Sequence, residues 1–255
     1  MPETAVPAAI GAEIDRAVAA LDVAALEREY WDQDEFVFLP RFLPAETVAR
    51  LLEDVARLEP GLNRNYLPGH KKGGSVSHFA IAERGPALLG FYHSEAFRRF
   101  LGRLTGAELQ LCPDDDPHAC ALYFYTEPGD HIGFHYDTSY YRGARYTILC
   151  GLVQESSSRL QCRLRTRRAG AEPIDLAVAT DPGALVIFNG DKVYHGVNPS
   201  QAGDRRVVLT LEYVTSREMH PVKRAFSNLK DAFAYFGIRS LFQSARRRRQ
   251  AASGG

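Results

Sequence analysis

The sequence predicts a mainly β fold with flanking helices, a double-sheet jelly roll of the α+β kind. Two observations predict it. From about residue 107, short runs rich in β-branched and aromatic residues alternate with turns: ACALYFYT, RYTILCGLVQ, RLQCRLRT, IDLAV, GALVIFN and RVVLTLEYV. Before that point, apolar residues recur mainly at helical spacing, so helices and strands are segregated along the chain.

The elements follow in order. Residues 1–12 read as a flexible tail. In AEIDRAVAALDVAALEREYWDQDE, Ile14, Val18, Leu21 and Leu26 form a helical stripe. EFVFLPRFL is a short apolar strand that Pro40 interrupts. PAETVARLLEDVARLEPG is a helix with Pro44 at its start, acids in its first turn and Pro60–Gly61 beyond its end. NRNYLPGHKKGGSVSHF is polar and glycine-rich, hence a loop, either a lid over a substrate or a plain linker. SEAFRRFLGRLTG is a helix running from a Ser94 cap to a Gly106 stop. The strands come next. After Ser216, FSNLKDAFAYFGIRSLF returns to helical text, and ARRRRQAASGG closes the chain as a solvated basic tail. The expectation is one domain over residues 13–216, with helices over 13–106 and a jelly-roll core over 107–216, then a C-terminal helical segment and tail over 217–255.

Lys plus Arg and Asp plus Glu balance at 31 each, which argues against a general nucleic-acid or membrane-surface binder. No apolar run reaches membrane-spanning length, and the first residues lack a secretory pattern. Cys112, Cys120, Cys150 and Cys162 form neither a CxxC pair nor a dense framework, so reduced thiols and a cytoplasmic location are expected.

GFHYDTSYY, residues 133–141, sets a titratable pair among strand-like residues. His135 and Asp137 lie two apart, so on a strand they share a face. A third ligand should come from a later strand. His195 supplies it, after the buried run ALVIF and a polar bend. Two imidazoles and a carboxylate on one face suit non-haem Fe(II) with open coordination positions.

The spacing His135-x-Asp137 … His195 followed by Arg206 resembles the Fe(II)/2-oxoglutarate-dependent dioxygenases. Gly183-x-Leu185-x-x-Phe188 before the distal histidine and RVVLTLEY after it add to the resemblance. REYWDQDEFVFLPRFLPAETVARLLEDV is similar to the start of the phytanoyl-CoA hydroxylase-like branch, and TEPGDH to the prolyl hydroxylase-like branch. The resemblance spans about residues 27–215. It implies a double-stranded β-helix, cupin-like, and an enzyme using Fe(II), 2-oxoglutarate and O2, with ascorbate as an aid in vitro. In that family 2-oxoglutarate chelates the iron and is decarboxylated to succinate, which generates the oxidant that removes a substrate hydrogen atom.

The far carboxylate of 2-oxoglutarate needs a cation, best a bidentate arginine. Arg205 and Arg206 adjoin, and strand alternation chooses Arg206. It shares a face with Val208, Thr210 and Glu212, while Val207, Leu209, Leu211 and Tyr213 form an apolar face for the helices. Tyr125 is a second candidate for that carboxylate. His131 is a candidate substrate contact. His70, His78, His93, His118 and His220 are not expected to be iron ligands. Thr210 and Glu212 are expected at the substrate. A buried Glu212 needs a partner, either a substrate ammonium or an internal arginine. The first option predicts hydroxylation of a small amine-bearing metabolite, a free amino acid or natural-product precursor, by a monomer or homodimer. The alternatives are a metal-binding jelly-roll sensor and a protein or nucleic-acid hydroxylase. Halogenation is disfavoured, because related halogenases replace the ligand carboxylate by a small residue and here Asp137 is present.

Overall fold

The computed structural model describes residues 5–137 and 139–219. The chain runs α1 (Ala5–Ala19), α2 (Val23–Asp32), β1 (Phe36–Leu39), α3 (Ala45–Leu58), β2 (Asn63–Leu67), β3 (Lys71–Val76), α4 (His78–Arg84), α5 (Pro86–Tyr92), α6 (Glu95–Thr105), β4 (Gln110–Leu111), β5 (Cys120–Tyr125), β6 (His131–His135), β7 (Arg145–Glu155), β8 (Leu160–Leu164), β9 (Ile174–Val178), β10 (Leu185–Asn189), β11 (Tyr194–Val197) and β12 (Arg205–Val214). All pairings are antiparallel, in the order β1-β10-β7-β12-β5-β3-β6-β11-β8-β9, with β2 on β3 and β4 on β12. This is a jelly-roll, cupin-like sheet with helices packed outside it.

Side-chain alternation divides the interior in two. Val207, Leu209, Leu211 and Tyr213 of β12 join Ile148 and Cys150 of β7 and the helices in the larger core. Val208 of β12, Leu149 of β7, Phe188 of β10 and Leu160 of β8 form a smaller cluster inside the sheet's fold. The β7–β12 register shifts between Val207 and Val208, leaving Leu152 of β7 without a partner, so β12 keeps its alternation. All four cysteines are buried and unpaired.

Caps explain the clearest helices. The Ser94 side chain accepts from the Phe97 N–H at the start of α6, and Gly106 ends it in the left-handed region at φ 66°. Pro44 precedes α3 with Glu46 in its first turn.

Two expectations need correction, and a third falls outside the described residues. The stretch taken as a tail enters α1, where Ile10 and Ile14 are fully buried. Pro7 and Gly11 weaken its local signal, but packing on α5 overrides it: a Cβ at Gly90 would meet the Pro7 backbone at 2.8 Å, so only glycine lets the two helices come this close. The glycine-rich loop is the β2–β3 hairpin, whose β3 pairs with β5 through Gly74, Ser75 and Val76 and with β6 through Lys71 and Lys72. The helical text after Ser216, including His220, lies almost wholly outside the described residues. Among the described residues no helix is long and apolar enough to cross a membrane.

Candidate metal centre and its cavity

β6 ends at His135. Asp137 is therefore not on the same strand, as alternation had suggested, but in the segment after it. Its N–H donates to the Gly190 carbonyl at 2.9 Å. That contact needs a bare backbone, because a Cβ at Gly190 would lie 2.6 Å from the Asp137 Cβ. His195 sits on β11 directly opposite His135, the two residues being register partners. The three side chains converge, with one ligand atom from each within 4.8 Å of the others. His135 Nε2 is 3.3 Å from Asp137 Oδ1, and His195 Nε2 is 3.7 Å from Oδ2.

Both imidazoles are held from behind. Nδ1 of His135 lies 2.9 Å from the Gly133 carbonyl, and Nδ1 of His195 3.1 Å from that of Val193. A carbonyl only accepts, so each Nδ1 carries the proton and each Nε2 presents a lone pair to the centre. Burial drives the His195 pKa down to about 4, leaving a neutral ligand near pH 7. Burial alone would raise the Asp137 carboxyl, but His195, His135 and the Thr147 hydroxyl hold it well below the usual range.

A cavity opens from this centre. Its apolar wall is Ile132, Leu149, Leu160, Val197 and Val208. On that side Arg206 is 1% exposed. Its Nε lies 3.2 Å from Gln154 Oε1 and 3.2 Å from Thr180 Oγ1, and its guanidinium stands over the Tyr125 ring at 5.0 Å. Among the described residues no carboxylate pairs with it. Arg205 faces away and forms a two-pronged bond to Glu59, both distances 2.8 Å.

The other side is polar: His118, Tyr123, Tyr140, Arg145, Thr210 and Glu212. Arg145 Nε donates to Glu212 Oε2 at 3.0 Å, and its Nη1 is 3.9 Å from Asp116 Oδ2. Burial pushes the Glu212 carboxyl up to about 8, against the pull of Arg145. Of the two partners expected for a buried Glu212, a substrate ammonium or an internal arginine, the internal arginine is therefore present. His131 does not line the cavity; its Nδ1 is 2.8 Å from the Gly129 carbonyl. Residue-by-residue reading missed Arg145, Thr147, His118 and Tyr140. Alternation along RYTILCGLVQ, set against Glu212, was the available signal for the first two.

A family model described as halogenase D matches residues 19–144. The match takes in His135 and Asp137 but stops short of His195 and Arg206. No curated protein matches the sequence. Among solved structures, the chain is similar to the epimerase SnoN in complex with Fe3+, alpha ketoglutarate and nogalamycin RO. The two are 17% identical over 81% of this chain and 90% of that one, with a TM-score of 0.65. A prolyl hydroxylase from Trichoplax adhaerens, in complex with a hypoxia inducible factor peptide, is 15% identical over 82% and 96%, with a TM-score of 0.60. EvdO2 from Micromonospora carbonacea var. aurantiaca, complexed with 2-oxoglutarate, is 17% identical over 76% and 94%, with a TM-score of 0.56. The chain has the fold of the iron- and 2-oxoglutarate-dependent oxygenases. In this oxygenase fold the converging triad and the buried arginine lie in the wall of one cavity.

Proposed function

We propose that the protein is an Fe(II)- and 2-oxoglutarate-dependent oxygenase that hydroxylates a small amine-bearing metabolite. The observation that carries the reading is Arg206, a buried cation in the cavity wall with no carboxylate partner among the described residues. An unpaired buried charge costs several kcal/mol, and the carboxylate of an anionic cosubstrate would offset it. The donor set of two imidazoles and one carboxylate, with no sulfur, fits Fe(II).

His135, Asp137 and His195 hold the metal. Arg206 takes the far carboxylate of 2-oxoglutarate, with the Tyr125 ring beside its guanidinium. Ile132, Leu149, Leu160, Val197 and Val208 keep water from the cosubstrate. With iron bound, 2-oxoglutarate and O2 supply the oxidant, so that substrate C–H becomes C–OH while 2-oxoglutarate becomes succinate and CO2. The substrate lies at the polar side, with Thr210 and Glu212. There Asp116 and Glu212 share Arg145, and the Tyr140, Thr210 and Glu212 side chains offer acceptors to a substrate amine. The unpaired thiols are consistent with a cytoplasmic enzyme, and the balanced charge with a small substrate rather than nucleic acid.

The test is succinate release with Fe(II), ascorbate and 2-oxoglutarate over a panel of amines, amino acids and non-basic acids. Stimulation by amine-bearing compounds, with a product that has gained one oxygen, is expected. Stimulation by non-basic acids alone would remove the amine. Full activity in His135→Ala, Asp137→Ala and His195→Ala would remove the metal centre.

A second reading, halogenation, is favoured by the halogenase D match. It needs a metal position that Asp137 fills here. Reaction in chloride should therefore give the oxygenated product, and a chlorinated one would reverse the order of the two readings.

A further inference from the structure

Thr147 sits on β7 beside Glu212 of β12, its direct register partner. Its hydroxyl is 2.7 Å from Asp137 Oδ2 and 3.1 Å from Glu212 Oε2. Glu212 is in turn anchored by Arg145. The threonine is 2% exposed, and its β-branch restricts χ1, so the hydroxyl has little freedom to leave. A carboxylate can bind a metal through one oxygen or two. Here Oδ2 already receives the Thr147 hydrogen bond and lies 3.7 Å from His195 Nε2, while Oδ1 lies 3.3 Å from His135 Nε2.

We infer that Thr147 is a positioning residue that holds Asp137 to one-oxygen metal binding, keeping a coordination position open for the cosubstrate. The inference rests on the oxygenase reading above. An octahedral ion with three single-atom protein ligands keeps three positions, enough for a chelating 2-oxoglutarate and O2. Release of Oδ2 lets Asp137 take a second position and compete with 2-oxoglutarate. The arrangement is built in from both sides: Thr147 holds Oδ2, and Gly190 leaves the space in which the carboxylate lies, since a Cβ there would come within 3.0 Å of Oδ2.

The test compares Thr147→Val, which keeps the shape and removes the hydroxyl, with Thr147→Ser, which restores it. Both are titrated without turnover, first with Mn(II) alone and then, in the Mn(II)-loaded protein, with 2-oxoglutarate. In Thr147→Val, 2-oxoglutarate affinity should fall by about tenfold or more, within the range that supporting groups behind a metal ligand control. Mn(II) affinity should change less, and Thr147→Ser should recover most of the loss. The opposite split, equal losses in both titrations, no loss, or a serine variant no better than valine overturns the inference. Should the valine variant fail to fold, Thr147→Ala against Thr147→Ser is read in the same way. Failure of the unaltered protein to bind Mn(II) or 2-oxoglutarate would instead sink the oxygenase reading itself.

Discussion

Arg205 and Arg206 adjoin in the chain yet meet opposite environments, one half-exposed against Glu59 and the other sealed in the cavity wall. Arg206→Ala should raise the 2-oxoglutarate concentration needed for succinate formation by about tenfold to a hundredfold, because a charge-assisted hydrogen bond is worth roughly 1.5–3 kcal/mol. Arg205→Ala breaks a partly exposed pair worth up to about 1 kcal/mol and should leave that requirement almost unchanged. A larger effect at Arg205 would show that the facing of β12 is wrong. Gly190→Ala should weaken Mn(II) binding by about tenfold or more, since the added methyl must push Asp137 away; unchanged affinity would show that the loop yields freely. Arg206 was legible because a strand's two-residue period is local. Arg145 was legible only in part: alternation gives its face, but its partner Glu212 lies 67 residues away and nothing local pairs the two.

The turn that leads into β6 is held by one carboxylate. Asp130 is fully buried and accepts from Arg64 at 2.7 and 2.9 Å and from the N–H groups of Thr126 and Glu127 at 2.9 Å each. Arg64 belongs to β2, so the hairpin and the approach to His135 are clamped together. Asp130→Ala should destabilise the protein by about 3–5 kcal/mol, because the remaining donors lose a buried charge; urea unfolding measures it, and a loss under about 1 kcal/mol would mean that water replaces the carboxylate. Elements with end signals were legible: Ser94 and Gly106 bound α6, and Pro44 opens α3. The β2–β3 hairpin was not, since Gly73 and Gly74 depress strand propensity and only pairing with β5 and β6 compensates. The seven-residue helices α4 and α5 are too short for a periodic pattern to stand out.

For the whole molecule, a metal that binds only the folded chain must stabilise it. At a hundredfold excess over Kd the gain is about 2.7 kcal/mol, or roughly 5–10 °C for a chain of this size; an unchanged Tm with Mn(II) would argue against a preformed site. The overall plan was legible because strand runs and helical spacing occupy different parts of the sequence. The exact seat of Asp137 was not, because it depends on β10 and β11 returning beneath it. The four buried thiols turn this architecture into a recorder of its own breathing. A thiol-specific reagent should find none of them in the native protein, and its slow reaction then times the opening of each stretch of sheet. Cys162 is the register partner of His195, while Cys120 and Cys150 lie on β5 and β7. If Mn(II) slows labelling at Cys162 more than at the other two, the strand carrying the distal histidine opens separately from the larger sheet, and the metal is the bolt that closes it.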